Sequence, residues 1–229
     1  MNMGDCAFII PAKYPRPQYS KTRLIPDIGD VAASRLSECF LVDSVRRFTE
    51  ESKLRVVIVG SDIDTEEEFS DLLGRHHLLQ DRVEILIPKC GSMIDDMIFA
   101  YENILSLCER AVMSASDIPY LSVRMVERII GYLDHYDLVF HPNVDNVATP
   151  HGMKRPLDIF RGTPSTLLEL WYARIKELGI FYKILEPLFD IDRMGDLIAF
   201  YHWQLFLEDS GDVECLCPET MHFLKSFMD

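Results

Sequence analysis

The chain has 229 residues, 48% of them hydrophobic, and a formal net charge of -14 at pH 7. That balance supports a sizeable core and excludes a general nucleic-acid or anionic-membrane surface. The apolar runs are too short to span a bilayer, and Met1-Asn-Met-Gly-Asp5 lacks the basic start and long apolar stretch of a signal peptide.

Six cysteines, at 6, 39, 90, 108, 215 and 217, are scattered and fit reduced thiols, so a cytoplasmic protein is expected. Cys215-Leu-Cys217 is a lone C-x-C and poor evidence for zinc.

In chain order, Ala7 to Ile10 is an apolar run that breaks at Pro11, and it predicts a first strand. A loop carrying Lys13, Arg16, Lys21 and Arg23 follows. Val31 to Phe48 reads as a helix capped by Asp30, with Leu36, Phe40, Leu41, Val45 and Phe48 on one face. Leu54 to Val59 is a second strand, closed by Gly60, and Glu66 to Leu73 a short acidic helix. Val83 to Ile87 is a third strand; Cys90-Gly91-Ser92 then leads into a helix over Met93 to Cys108, with Ser92 as cap. Ala111 to Ala115 is a fourth strand, Ser122 caps a helix ending at Leu133, and Asp137 to Phe140 is a fifth strand.

Beyond that point the pattern is less regular. Asn143 to Arg155 reads as a polar loop, and Leu157 to Phe160 and Phe181 to Leu185 as strand candidates. Ser165 to Leu178, Met194 to Leu207 and Pro218 to Met228 read as helices. Trp171 and Trp203, in apolar helical patterns, are expected in the core, and the adjacent His76 and His77 at the surface. Alternating strands and helices predict one α/β domain over 1–229, with a mainly parallel mixed sheet, helices on both faces and a peripheral tail over 208–229.

Ligands of open α/β sheets bind beyond the carboxyl ends of the strands. Four cations at the end of the first strand of an acidic chain suggest a bound anion such as a nucleotide phosphate. The alternative is a solvated basic loop. Two further motifs follow strands in the same way. Ser114-Ala-Ser-Asp117-Ile-Pro offers one carboxylate, and Asp190-Ile-Asp192 offers two that share a face on extended backbone. Oxygen ligands of this kind suit Mg²⁺. Asp117 serves equally as a turn residue before Pro119, and Asp192 as a helix N-cap.

The order of Pro11-Ala12-Lys13, Lys21-Thr-Arg23-Leu, Ser116-Asp117-Ile-Pro and Asp190-Ile-Asp192 resembles the nucleotide-diphospho-sugar transferase (GT-A) superfamily over about residues 6 to 200. Within it the likeness is to a glycosyltransferase-like family related to the 2-phospho-lactate guanylyltransferases and molybdenum-cofactor nucleotidyltransferases. The resemblance implies a Rossmann-like three-layer α/β/α fold. It implies that Pro11, Ala12 and Lys13 wrap the nucleotide, that Lys21 and Arg23 hold its phosphates, and that Asp117 and Asp192, with Asp190 in reserve, hold Mg²⁺ or Mn²⁺. Gly91 and Ser92, before a helix, are candidates to touch the base.

The chain departs from these families after the fifth strand. Their Asp-Gly-Gly-Tyr or Gly-Thr-rich segment is replaced here by a stretch containing Asp145, His151, Lys154 and Arg155, which are taken as acceptor-binding candidates. A single Asp at 117, in place of a compact D-x-D, favours transfer of a nucleotidyl group from an NTP to a small phosphorylated or acidic acceptor. Glycosyl transfer from a nucleotide-sugar and non-catalytic nucleotide binding stay open, as does the oligomeric state, a homodimer included.

Overall fold

A computed structural model describes residues 5–160 and 167–228. Its centre is a seven-stranded sheet. The strands are β1 (Cys6–Pro11), β2 (Arg55–Val59), β3 (Val83–Leu86), β4 (Arg110–Met113), β5 (Leu138–Pro142), β6 (Ala148–Met153) and β7 (Tyr182–Ile184). They lie in the order β3-β2-β1-β4-β6-β5-β7. All neighbours run parallel except β6, which is antiparallel to both β4 and β5. The carboxyl ends of the other six strands therefore open on one edge, and β6 starts at that edge and runs away from it.

Residues alternate between the two faces of each strand, as the two-residue period requires. Phe8, Ile10, Val56, Ile58, Val112 and Val139 face one hydrophobic layer; Ala7, Ile9, Val57, Val59, Ala111, Met113 and Phe140 face the other. The first layer is covered by α2 (Asp30–Glu51), α3 (Glu66–Arg75), α5 (Val123–Tyr132), α7 (Met194–Ser210) and α8 (Pro218–Met228). The second is covered by α4 (Met93–Ile104) and α6 (Leu168–Leu178). α1 (Ile25–Ile28) is a single turn before α2. The predicted apolar face of α2 is buried, and Phe48 lies with its ring centroid 3.8 Å from that of Phe8.

Ser92 and Ser122 cap α4 and α5, accepting hydrogen bonds from the Asp95 and Met125 amides at 3.1 and 3.2 Å. Asp30 does not cap α2. The N-cap is Gly29 at φ 82°, and Asp30 is the first helical residue. α4 ends at Ile104, four residues before the expected Cys108. The expected start of α6 at Ser165 lies outside the described residues. Leu157 to Phe160 is not a strand; Leu157, Ile159 and Phe160 are buried beside Trp171 without joining the sheet.

The segment expected to be a polar loop, Asn143 to Arg155, contains β6, every residue of which is buried. Gly152 suits this place, because a Cβ there would lie 2.5 Å from Ile129 Cγ2 and 3.1 Å from Val112 Cγ2. Nor is the tail peripheral. Cys217, Thr220, Met221 and Leu224 are buried against α2 and α7. The six cysteines are free thiols, and among the described residues no helix is long and apolar enough to cross a membrane.

Candidate functional site

The loop after β1 is held by its neighbour. Ala12 donates to the Val59 carbonyl at 2.9 Å, extending the β1–β2 pairing past the strand end. Arg16 then pairs with Asp64 at 3.0 Å and Glu68 at 2.5 Å. Asp64 is buried in the β2–α3 loop and also accepts from the Tyr14 amide and from the amide and hydroxyl of Ser61. Tyr19 and Ser61 hydrogen-bond through their hydroxyls. Arg16 is thus a brace for the loop. Lys13 is exposed, 5.0 Å over the Tyr19 ring, and pairs with no carboxylate among the described residues.

Lys21 and Arg23 meet the two acidic motifs. Lys21 Nζ donates to Asp117 Oδ2 at 2.9 Å and to Asp192 Oδ1 at 2.7 Å, and Arg23 pairs with Asp192 Oδ2. Asp117 follows β4. Its carbonyl accepts from the Ile191 amide at 3.0 Å, which stitches the β4 loop to the 189–192 segment. Tyr120 clamps the same segment, its hydroxyl donating to the Phe189 carbonyl at 2.6 Å and accepting from the Phe189 amide at 3.0 Å. Asp192 is not the N-cap of α7. That place is taken by Arg193, and Asp196 accepts from the amides of Asp192 and Arg193. The Asp192 carboxylate is left for the cations.

One oxygen from each of Asp117, Asp190 and Asp192 lies within 4.8 Å of the others. Burial pushes the Asp190 carboxyl up, and the charges of Asp117, Asp192 and Asp145 add to this, to about 6. Burial also acts against the charge of Asp192, yet Lys21 and Arg23 outweigh it and hold the carboxyl below its ordinary value. Burial alone would depress the Lys21 ammonium; the charges of Asp117 and Asp192 overcome it and leave it raised. Asp117 Oδ1 is buried with no hydrogen-bond partner among the described residues. An all-oxygen donor set with an unpartnered carboxylate oxygen fits a hard divalent cation such as Mg²⁺.

The remaining candidates divide. Pro11 and Ala12 line the start of the cationic loop. Gly91, at φ 87°, and Ser92 are exposed at the same edge, beyond β3. Asp145 is exposed in the β5–β6 turn, near enough to raise Asp190. Lys154 and Arg155 follow the reversed strand β6, so they emerge at the opposite edge. There Lys154 donates to the Leu133 carbonyl and Arg155 pairs with Asp137. They do not face this site.

His151 is also withdrawn from it. The ring is 1% exposed among Tyr101, Phe160 and Trp171, with Nδ1 against the Ala148 carbonyl and Nε2 unpartnered. Burial pushes its pKa from 6.5 down to about 4. Its stabilising contribution is therefore present in full above 6.5 and is lost as pH falls towards 4, because the unfolded chain takes up the proton first. Between pH 6.5 and 5 this should cost roughly 1–2 kcal/mol of stability. Urea titrations at the two pH values, with His151→Leu for comparison, should show that part of the acid loss absent from the variant.

Asp64 and Tyr120, which position the loops, carry signals in hindsight: an acid just after β2 ahead of the Thr65–Glu68 capping box, and the residue after the Ser116-Asp-Ile-Pro119 motif.

No protein-family model matches the sequence, and no curated protein matches it. Solved structures do. A candidate nucleotide-diphospho-sugar transferase from Desulfovibrio desulfuricans G20 is 21% identical, with a TM-score of 0.82 over 97% of this chain and 94% of that one. A 4-diphosphocytidyl-2C-methyl-D-erythritol synthase from Anaerococcus prevotii is 10% identical, with a TM-score of 0.60 over 89% and 98%. A cytidylyltransferase from Leptospira borgpetersenii is 10% identical, with a TM-score of 0.53 over 92% and 97%. The mostly parallel seven-stranded sheet, with β6 reversed and helices on both faces, is the nucleotide-diphospho-sugar transferase fold.

Proposed function

We propose that the chain is a nucleotidyltransferase that uses Mg²⁺ or Mn²⁺ to move a nucleoside monophosphate from an NTP to a small acceptor bearing a phosphate or carboxylate. The observation that carries this reading is the meeting of Lys21 and Arg23 with Asp117, Asp190 and Asp192 at the carboxyl edge of the sheet. The fold is shared with proteins named as a cytidylyltransferase and a 4-diphosphocytidyl-2C-methyl-D-erythritol synthase, which supports nucleotidyl transfer in general.

In this reaction an acceptor oxygen attacks the α-phosphorus, the bond to the β-phosphate oxygen breaks, and pyrophosphate leaves. The protein must align the reactants and offset negative charge. Lys21 and Arg23 supply cations for the phosphates. Lys13, with no carboxylate partner among the described residues, supplies a third at the loop's outer side. Asp117 and Asp192, with Asp190, would hold the metal, which when bound neutralises phosphate charge. An acceptor that is already an anion needs no general base. This agrees with the burial of His151, the one histidine among the acceptor candidates.

A thermal-shift screen of the four NTPs and of nucleotide-sugars, with and without Mg²⁺, tests the proposal. Stabilisation by an NTP that depends on Mg²⁺ is the expected result, about 2.7 kcal/mol when ligand is at 100 times Kd. A preference for nucleotide-sugars would replace the reading with glycosyl transfer, and no response to any nucleotide would contradict it.

A further inference from the structure

The Lys21 ammonium stands where a cation shared by these carboxylates would stand. It bridges Asp117 and Asp192 at 2.9 and 2.7 Å, and the oxygens of those groups and Asp190 lie within 4.8 Å of one another. The side chain is 9% exposed and passes Phe40, whose ring centroid is 5.8 Å from Nζ. Its backbone is in the left-handed region at φ 48°, which a residue with a side chain adopts when its surroundings fix it there. Arg23 is different. It is 58% exposed and, among the described residues, pairs only with the other oxygen of Asp192.

We propose that Lys21 is the resident counter-cation of the carboxylate cluster, and that a divalent metal enters as Lys21 is drawn away to a nucleotide phosphate. This rests on the metal and nucleotide reading above and adds a coupling to it. A metal arriving alone must displace the ammonium and leave it beside a second positive charge. A metal arriving with a triphosphate gives the ammonium a new anion. The two ligands therefore assist each other, and the assistance is reciprocal. Between turnovers, Lys21 relieves the repulsion among the carboxylates without any metal.

The test is a titration of Mn²⁺ without nucleotide, with free Mn²⁺ read by electron paramagnetic resonance. Lys21→Met should bind one Mn²⁺ about tenfold or more tightly than the wild-type chain. Arg23→Met should stay within about threefold of wild type, as expected of an exposed pair. Adding Asp117→Asn to Lys21→Met should abolish the gain. A Lys21→Met protein that binds Mn²⁺ no better than wild type overturns the proposal. That outcome leaves the nucleotidyltransferase reading to be judged by its own NTP and Mg²⁺ screen.

A second measurement uses the wild-type chain and covers a variant that does not fold. Saturating Mn²⁺ should raise reductive methylation of Lys21, read by peptide mass spectrometry, about fivefold. Unchanged labelling overturns the proposal.

Discussion

Asp117→Asn should lower turnover by about 10²- to 10³-fold, the range seen when one preorganised charge-stabilising group is removed from a reacting centre. The fold should survive. The Asp117 side chain is 21% exposed and its carboxylate pairs with Lys21, which keeps Asp192. The backbone bond from Ile191 to the Asp117 carbonyl does not involve the substituted atoms. The change is isosteric, so the loop geometry has no steric reason to move. Calorimetry should show the Mg²⁺-dependent part of nucleotide affinity lost while the circular-dichroism melt stays close to wild type. Equal Mg²⁺-dependent affinity in a folded Asp117→Asn protein would remove Asp117 from the metal set.

Asp43→Ala should cost about 3–5 kcal/mol of stability. Asp43 is buried on α2 and caps α8 across space. Its carboxylate accepts from the Glu219 amide at 3.0 Å, the Thr220 amide at 2.9 Å and the Thr220 hydroxyl at 2.6 Å. One turn later Arg47 is also buried. It donates to the carbonyls of Pro119, Leu121 and Leu216, neutral acceptors that leave its charge uncompensated. Burial raises the Asp43 carboxyl, and the Thr220 and Glu219 hydrogen bonds and, more weakly, the Arg47 charge act to lower it. Removing that carboxylate leaves three donors without an acceptor. The loss should appear in a urea titration, with early proteolysis of α8. A loss below about 1 kcal/mol would contradict this account. Pro119 and Leu121 lie two and four residues after Asp117, so the Arg47 bonds anchor the loop that carries the site.

The first five strands were legible because each is a short apolar run closed by Gly, Pro or a polar turn. The charged residues at their ends could then be placed on one edge by topology alone. The strand β6 was not legible. Ala148-Thr-Pro-His-Gly-Met153 has no run of β-branched residues and contains a proline; its burial comes from lying between β4 and β5. That single reversed strand decided the fate of three candidates. It carries Lys154 and Arg155 to the far edge and turns His151 into the core.

Arg16 was misplaced for another reason. Its partners Asp64 and Glu68 belong to the next strand–helix unit, and only the packed sheet brings them within reach. The pairing of Lys21 with Asp117 and Asp192 is equally long-range, and sequence could place these groups on one edge without showing that the cation lies between the acids.

Asp117 and Asp192 should hold a metal beside a nucleoside triphosphate reached by Lys21. Crystals grown with Mn²⁺ and the NTP that most stabilises the chain test it directly, since anomalous scattering locates the metal. Mn²⁺ is expected at roughly 2.1 Å from a carboxylate oxygen of Asp117 and of Asp192 or Asp190, with Lys21 on a phosphate. A triphosphate bound elsewhere, or a metal beside it with no ligand from Asp117, would contradict it.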